Sequence, residues 1–319
     1  MQDQGAFSRR AFLARSAGAL VSATLAPVLF ASDKIQGQRV FTCGHSFHVF
    51  VYRMVAEMAK AAGITDHQMA GLSAIGGSRV IQHWDVPDEK NKAKAALSAG
   101  QVDVLTLSPI WLPDEGIENF VKLGFQHNPD IRVLVQEFWL PNDTYEPIYP
   151  LDTRKPVNHN DTDRADLRKK QGQYLRDLSD YVRAINKKLG KDVALVVPVG
   201  QAVLALREKL AAGQAPGLKT QWDLFRDPWG HAQAPITVLS SYCHFAVIYR
   251  RSPVGLPVPD ELATYRRFTS DVSIRKLGWR PSPEDWAKAI ALTETEQTQL
   301  NRLLQELAWE AVNSKRKPL

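Results

Sequence analysis

Ser46 lies in the stretch "FTCGHSFHVF", directly after an apolar run and between His45 and His48. A serine hydroxyl is a weak nucleophile until a base takes its proton. Ester chemistry at this serine therefore requires a base, a group that orients it, and donors for the oxyanion formed on attack. The chain offers a candidate for each. Gly76 and Gly77, in "AIGGS", carry no side chains, so an amide there can approach a substrate oxygen closely. The Gly77 N–H is the expected second oxyanion donor, beside the N–H of Ser46 itself. His231, in "RDPWGH", is the candidate base, with Asp227 or the nearby Asp223 as its orienting carboxylate. Trp111, Asn142 and Gln136 are candidates for a further donor, and His45, His48 and His83 are read as pocket residues.

Taken singly, each residue has a plainer explanation. A serine at a strand end caps a helix, a glycine pair turns the chain, and an aspartate before proline starts a turn. The order Ser46, Gly77, Asp227, His231 favours the chemical reading. The histidines have no carboxylate cluster at helical spacing, and Cys43 and Cys243 belong to no Cys-x-x-Cys or Cys/His cluster, so no metal and no cofactor is expected. Buried packing is the expected role of both cysteines.

The elements that must position these residues follow from hydrophobic periodicity. Five apolar runs read as strands: "RVFTCGH" from Arg39, "HQMAGLSAIG" from His67, "VDVLTLSPIW" from Val102, "IRVLVQEFWL" from Ile131 and "DVALVVPVG" from Asp192. Helical patterns lie between them: one from near Val49, then "NKAKAALSAG", "GIENFVKLGF", and the long "DRADLRKKQGQYLRDLSDYVRAINKKLG", which ends at Gly190 as a C-terminal cap. Alternating strands and helices imply an α/β chain with a parallel sheet covered on both faces. Ligands in such sheets sit beyond the carboxyl ends of the strands, where Ser46, the glycine pair, Trp111 and Trp139 fall. Trp84 and Trp229 complete an expected aromatic rim suited to sugar rings. Residues 146–163, rich in proline, aspartate and asparagine, read as a long surface loop.

On these residues the chain resembles an SGNH/GDSL-type hydrolase, over roughly residues 39–255. "GHSF" is similar to that family's Gly-x-Ser element after strand one, "AIGGS" to its glycine after strand two, and the late Asp227 and His231 to its Asp/His pair. The resemblance implies a flavodoxin-like, three-layer α/β/α sandwich with a five-stranded parallel sheet. It also implies a Ser46–His231–Asp227 triad hydrolysing O-acyl esters, with an O-acetylated carbohydrate as the expected substrate class and phospholipid or peptidoglycan esters left open. Two departures stand out. The family spaces its pair Asp-x-x-His, whereas "DPWGH" is one residue longer, and its Gly-x-Asn-Asp element has no counterpart in "LSPIW", where Ile110 or Trp111 stands instead. They leave an alternative open: an inactive member of the same fold that binds a glycan or small ligand.

Residues 1–31 read as an export signal, because "SRRAFL" places the twin arginine Arg9 and Arg10 before a run of small apolar residues that can end at Ala31. The expected path is the twin-arginine translocon, and the expected location periplasmic or secreted. No apolar run reaches the roughly 18 residues of a membrane span, so no stable transmembrane segment is expected in the mature chain. The net charge of +6 is spread among acidic neighbours, as in "DTDRADLRKK", with no recognition motif, and nucleic acid is not an expected partner. Residues 256–319 read as a helical extension packed on the domain, its last helix starting at a Thr293–Glu296 capping box.

Overall fold

The computed structural model describes residues 35–147, 157–276 and 278–314. The twin-arginine stretch and Ala31 lie outside the described residues. Five strands, β1 (Arg39–Gly44), β2 (Gln68–Ala74), β3 (Val104–Leu107), β4 (Arg132–Gln136) and β5 (Ala194–Val197), form one sheet in the order β2-β1-β3-β4-β5. All four pairings are parallel. Every crossover is helical: α1 (Val51–Ala61), α2 (Val80–Trp84), α3 (Lys92–Ser98), α4 (Glu115–His127) and α5 (Arg164–Leu189), with α6 (Val199–Ala211) and α7 (Ala234–Tyr249) after the last strand. The architecture fits a three-layer α/β/α fold.

The strand order decides where a ligand can sit. From β1 the chain crosses to β2 on one side, then returns past β1 to β3 on the other. The loops leaving β1 and β3 therefore diverge, opening a crevice at the carboxyl edge between them. Ser46 leaves one of those strands and Ser108 the other. The core strands are buried along their length, β3 at all four residues, as a sheet covered on both faces demands.

Helix α5 starts where Asp163 accepts from the Ala165 and Asp166 N–H groups, and ends at Gly190 in the left-handed conformation (φ 67°). Helix α7, "APITVLSSYCHFAVIY", is apolar on nearly every side and buried at all but one of its 16 residues. A helix of that kind must be covered all round. Helices α1 and α6 pack against it, as does α10 (Glu294–Ser314), which follows the short α8 (Asp260–Ala263), α9 (Pro283–Lys288) and the two-residue pair β6 (Arg266–Arg267) and β7 (Ile290–Ala291). Leu300, Leu304 and Leu307 of α10 are buried, each contributing roughly 1.5–3 kcal/mol by leaving water. Tyr242 Oη donates to Asn301 Oδ1 (2.7 Å) across the α7–α10 interface. The Thr293–Glu296 capping box is present, with Thr293 N–H on Glu296 Oε2 (2.9 Å) and Glu296 N–H on Thr293 Oγ1 (3.2 Å). Cys43 in β1 and Cys243 in α7 are free and buried.

Candidate active site

Ser46 is exposed at the first turn after β1. Helix α1 itself starts at Val51, two residues later than the sequence pattern implies. The chain nevertheless winds in a helical sense from His45, whose carbonyl accepts from the Val49 N–H (3.0 Å). Ser46 thus occupies the first turn of that winding, where backbone N–H groups have no intrahelical partner. Among the described residues the N–H groups of Ser46 and Gly77 make no backbone hydrogen bond. Strand register brings them to the same edge: Gly44 pairs with Ala74, and the Ile75 N–H donates to the Gly44 carbonyl (3.1 Å). Both chains then run past the sheet, with Gly77 in a left-handed conformation (φ 61°) that a side chain would disfavour.

The base arrives from 185 residues away. His231 Nε2 lies 2.9 Å from Ser46 Oγ. On the opposite side of the ring, Nδ1 lies 2.7 Å from Asp227 Oδ2 and 3.0 Å from Oδ1. Asp223 is engaged elsewhere: its carboxylate accepts from the Lys219 (2.7 Å) and Thr220 (2.9 Å) N–H groups and closes a local turn. Asp227 is therefore the carboxylate that meets the histidine. The additional residue between Asp227 and His231 is absorbed by a hairpin. Phe225 bridges Ala232, the Arg226 N–H donates to the His231 carbonyl (2.8 Å), and the Gly230 N–H turns back to the Asp227 carbonyl (3.0 Å). Gly230 adopts φ 83°, and a Cβ there would stand 2.6 Å from the Pro141 Cβ, so only glycine fits this turn.

Asp227 is fully buried. Burial alone would raise its pKa, but the hydrogen bonds and charge of His231, with Arg226 nearby, hold it below the ordinary carboxylate range. Its Oδ1 also accepts from the Trp229 (3.1 Å) and His231 (3.3 Å) N–H groups. An anion fixed in this way holds the His231 Nδ1 proton and leaves Nε2 free to accept from Ser46.

Several supporting residues escape a sequence reading. Phe47, buried beside Ser46, packs against His231, Phe138 and Trp139 with ring centroids 4.8–4.9 Å apart. Trp139 donates its indole N–H to the Gly230 carbonyl (3.1 Å) and is wholly buried, so it belongs to the core and not to an aromatic rim. His159 falls in the stretch read as a surface loop, yet it is fully buried. Its Nε2 donates to the Asp227 carbonyl (2.8 Å), and its ring packs on Trp222 and Phe225. Nothing in local composition marks it, because Asp227, Trp222 and Phe225 lie more than sixty residues away.

Other expected pocket residues are buried and make contacts within the protein. His83 is buried, with Ser73 Oγ 2.7 Å from Nδ1 and Ser78 Oγ 2.8 Å from Nε2, so it ties down the loop that carries Gly76 and Gly77. Burial lowers its pKa to about 4. His45 directly precedes Ser46 in the turn, with Nδ1 accepting from the Phe47 N–H (3.3 Å) and Ser108 Oγ 3.2 Å from Nε2. His48 spans Gln136 Oε1 (2.8 Å) and Thr106 Oγ1 (2.9 Å), and burial holds its pKa well below the ordinary value. Gln136 in turn donates to the Phe47 carbonyl (3.1 Å), which commits it to the turn and removes it as an oxyanion donor. Asn142 is buried, its Oδ1 accepting from Thr144 N–H (3.0 Å) and Oγ1 (2.8 Å) to close its own turn. Trp111 is buried also, and Trp84 lies at the side of the domain against Phe120 and Lys94. Of the expected rim, Trp229 lies half-exposed in the turn that joins Asp227 to His231.

No protein-family model matches the chain, and no curated protein matches it. A crystal structure of a DUF4886 family protein from Bacteroides uniformis is similar over 89% of this chain and 97% of its own, with 13% identity and a TM-score of 0.48. A likeness at that distance carries no inference about activity. Among the described residues, no group of three or more His, Cys, Asp or Glu side chains is arranged to hold a metal ion. No described helix is long and apolar enough to cross a membrane.

Proposed function

We propose that the protein is a serine ester hydrolase of SGNH/GDSL type, exported by the twin-arginine route and acting on O-acyl, chiefly O-acetyl, esters of carbohydrate. The observation that carries this reading is the chain of contacts from exposed Ser46 through His231 to buried Asp227, built from residues 185 positions apart. A hydroxyl that only capped a helix would need no imidazole at 2.9 Å, and that imidazole no buried carboxylate behind it.

In this mechanism His231 Nε2 takes the proton as Ser46 Oγ attacks the acyl carbon. Negative charge develops on the former carbonyl oxygen, where the Ser46 and Gly77 N–H groups donate to it. His231, now an imidazolium stabilised by Asp227, passes its proton to the leaving alcohol oxygen. Water then attacks the acyl-serine with His231 as base, and the acid leaves. An oxyanion hole of two donors in place of three costs on the order of 100-fold in rate, which still leaves an enzyme. The carbohydrate preference rests on the family resemblance and the export signal.

The direct test is hydrolysis of p-nitrophenyl acetate by wild type and by Ser46→Ala. Loss of turnover in a variant of unchanged circular dichroism supports the assignment, and full activity in that variant removes it.

A further inference from the structure

A cavity of about 440 Å³ lies beside the loop that carries the candidate triad. Its size falls within the roughly 300–1000 Å³ of small-molecule sites. One wall is Pro228 and Trp229, which stand between Asp227 and His231 in the hairpin. The other comes from the C-terminal segment, with Val272, Arg275 and, at the rim, the exposed Lys276. Trp229 is half-exposed, and its backbone N–H is bonded to Asp227 Oδ1 (3.1 Å), so the cavity wall and the triad share one rigid turn.

The charges in the cavity are of one sign. Its described lining contains two cations and no carboxylate. Arg275 is buried and held in place: its guanidinium donates to the carbonyls of Trp222 (3.3 Å) and Phe268 (3.1 Å) and lies between the Trp222 and Trp279 rings. Among the described residues neither Arg275 nor Lys276 has a carboxylate at ion-pair distance, while Asp223 and Asp285 act on the Arg275 charge from farther off. A carboxylate placed in the cavity would meet Arg275 and Lys276 directly, with no carboxylate in the described lining to compete for them. A half-exposed indole beside two cations suits a flat sugar ring that carries a carboxylate, with its C–H face on the indole and its anion toward the guanidinium and ammonium groups.

We propose that this cavity is the subsite for an acidic sugar unit of the substrate, a hexuronate stacked on Trp229 with its carboxylate toward Arg275 and Lys276. The inference rests on the ester-hydrolase reading for its place in a reaction, and on the cavity alone for its ligand. It narrows the substrate class to O-acylated, uronate-containing glycans.

The test is titration calorimetry at low ionic strength with the Ser46→Ala protein, comparing a galacturonate disaccharide with the matching neutral galactose disaccharide. The acidic sugar is expected to bind at least ~10-fold more tightly, a difference of about 1.4 kcal/mol. Lys276→Glu, at an exposed position that leaves the fold intact, should abolish the preference, and Lys276→Arg should keep it. Trp229→Ala should weaken both sugars. Equal binding of the two sugars, or a preference that survives Lys276→Glu, overturns the proposal. Turnover of p-nitrophenyl acetate by wild type separates the two readings. Turnover without acid selectivity removes the subsite and keeps the hydrolase, whereas Lys276-dependent selectivity without turnover keeps the subsite and removes the hydrolase.

Discussion

Replacing Asp227 by asparagine changes one atom in a site whose geometry dictates the outcome. Two backbone donors, the N–H groups of Trp229 (3.1 Å) and His231 (3.3 Å), point at Oδ1. An asparagine must keep its oxygen there, so its NH₂ group takes the position of Oδ2, 2.7 Å from His231 Nδ1. Facing a donor, Nδ1 must become an acceptor, and the ring proton moves to Nε2. Nε2 then donates toward Ser46 Oγ and cannot take its proton. A wrong-tautomer substitution of this kind costs on the order of 10⁴ in kcat, which is about 5.4 kcal/mol at 1.36 kcal/mol per factor of ten. The side chain is nearly isosteric and buried, and it touches no substrate, so KM should change little. Initial-rate kinetics on p-nitrophenyl acetate, with a melting curve to establish folding, measure the effect. A folded Asp227→Asn variant within about 10-fold of wild-type kcat would refute the tautomer argument and with it the orienting role of Asp227.

Two further outcomes follow from the same packing. His83, His159 and His244 are held by burial at pKa values of about 4, so they stay neutral in the folded chain while their unfolded counterparts titrate near 6.5. The unfolded state binds more protons between those values, so stability is fully present above pH 6.5. It should fall as the pH drops toward 4, by up to about 1.4 kcal/mol per pH unit for each histidine; denaturant titrations across this window check the slope, and a flat profile would contradict it. Gly230→Ala should cost about 1–3 kcal/mol, from strain at φ 83° and the contact with Pro141, and should lower kcat by displacing the Asp227–His231 turn; an unfolding midpoint unchanged from wild type would count against that turn geometry.

The strands are legible because each lies in a run bounded by polar, glycine or proline residues, and all five, β1 to β5, fall inside the runs that the sequence marks. Local signals also read true: Gly190 terminates α5, and Thr293 with Glu296 starts α10. Such features depend on neighbours within four residues, so they are written in the local sequence. Helix α6 has no separate signal in the sequence, because its first residues continue the apolar run of β5 without a polar break. In the site, Ser46, Asp227 and His231 could be nominated from residue type and order. The longer Asp/His spacing is accommodated by the Gly230 turn, which folds His231 back onto Asp227 and which no local pattern reveals. The protein contacts of His83, Gln136 and Trp139 are not legible in the sequence, for a common reason. Each lies close to a strand end, where polar or aromatic residues serve a ligand or tie loops together, and the difference is decided by partners such as Ser73, Phe47 and Gly230 that no local pattern reveals.

The central claim is that Ser46 is an activated nucleophile, and the most direct measurement of it is labelling of the folded protein by a fluorophosphonate, followed by intact mass and peptide mapping. A single adduct on the peptide that carries Ser46 is the expected result, absent from Ser46→Ala and formed far more slowly in Asp227→Asn. A folded protein that takes up no label at Ser46 would contradict the triad and leave a fold of the same shape that binds its ligand without reacting with it.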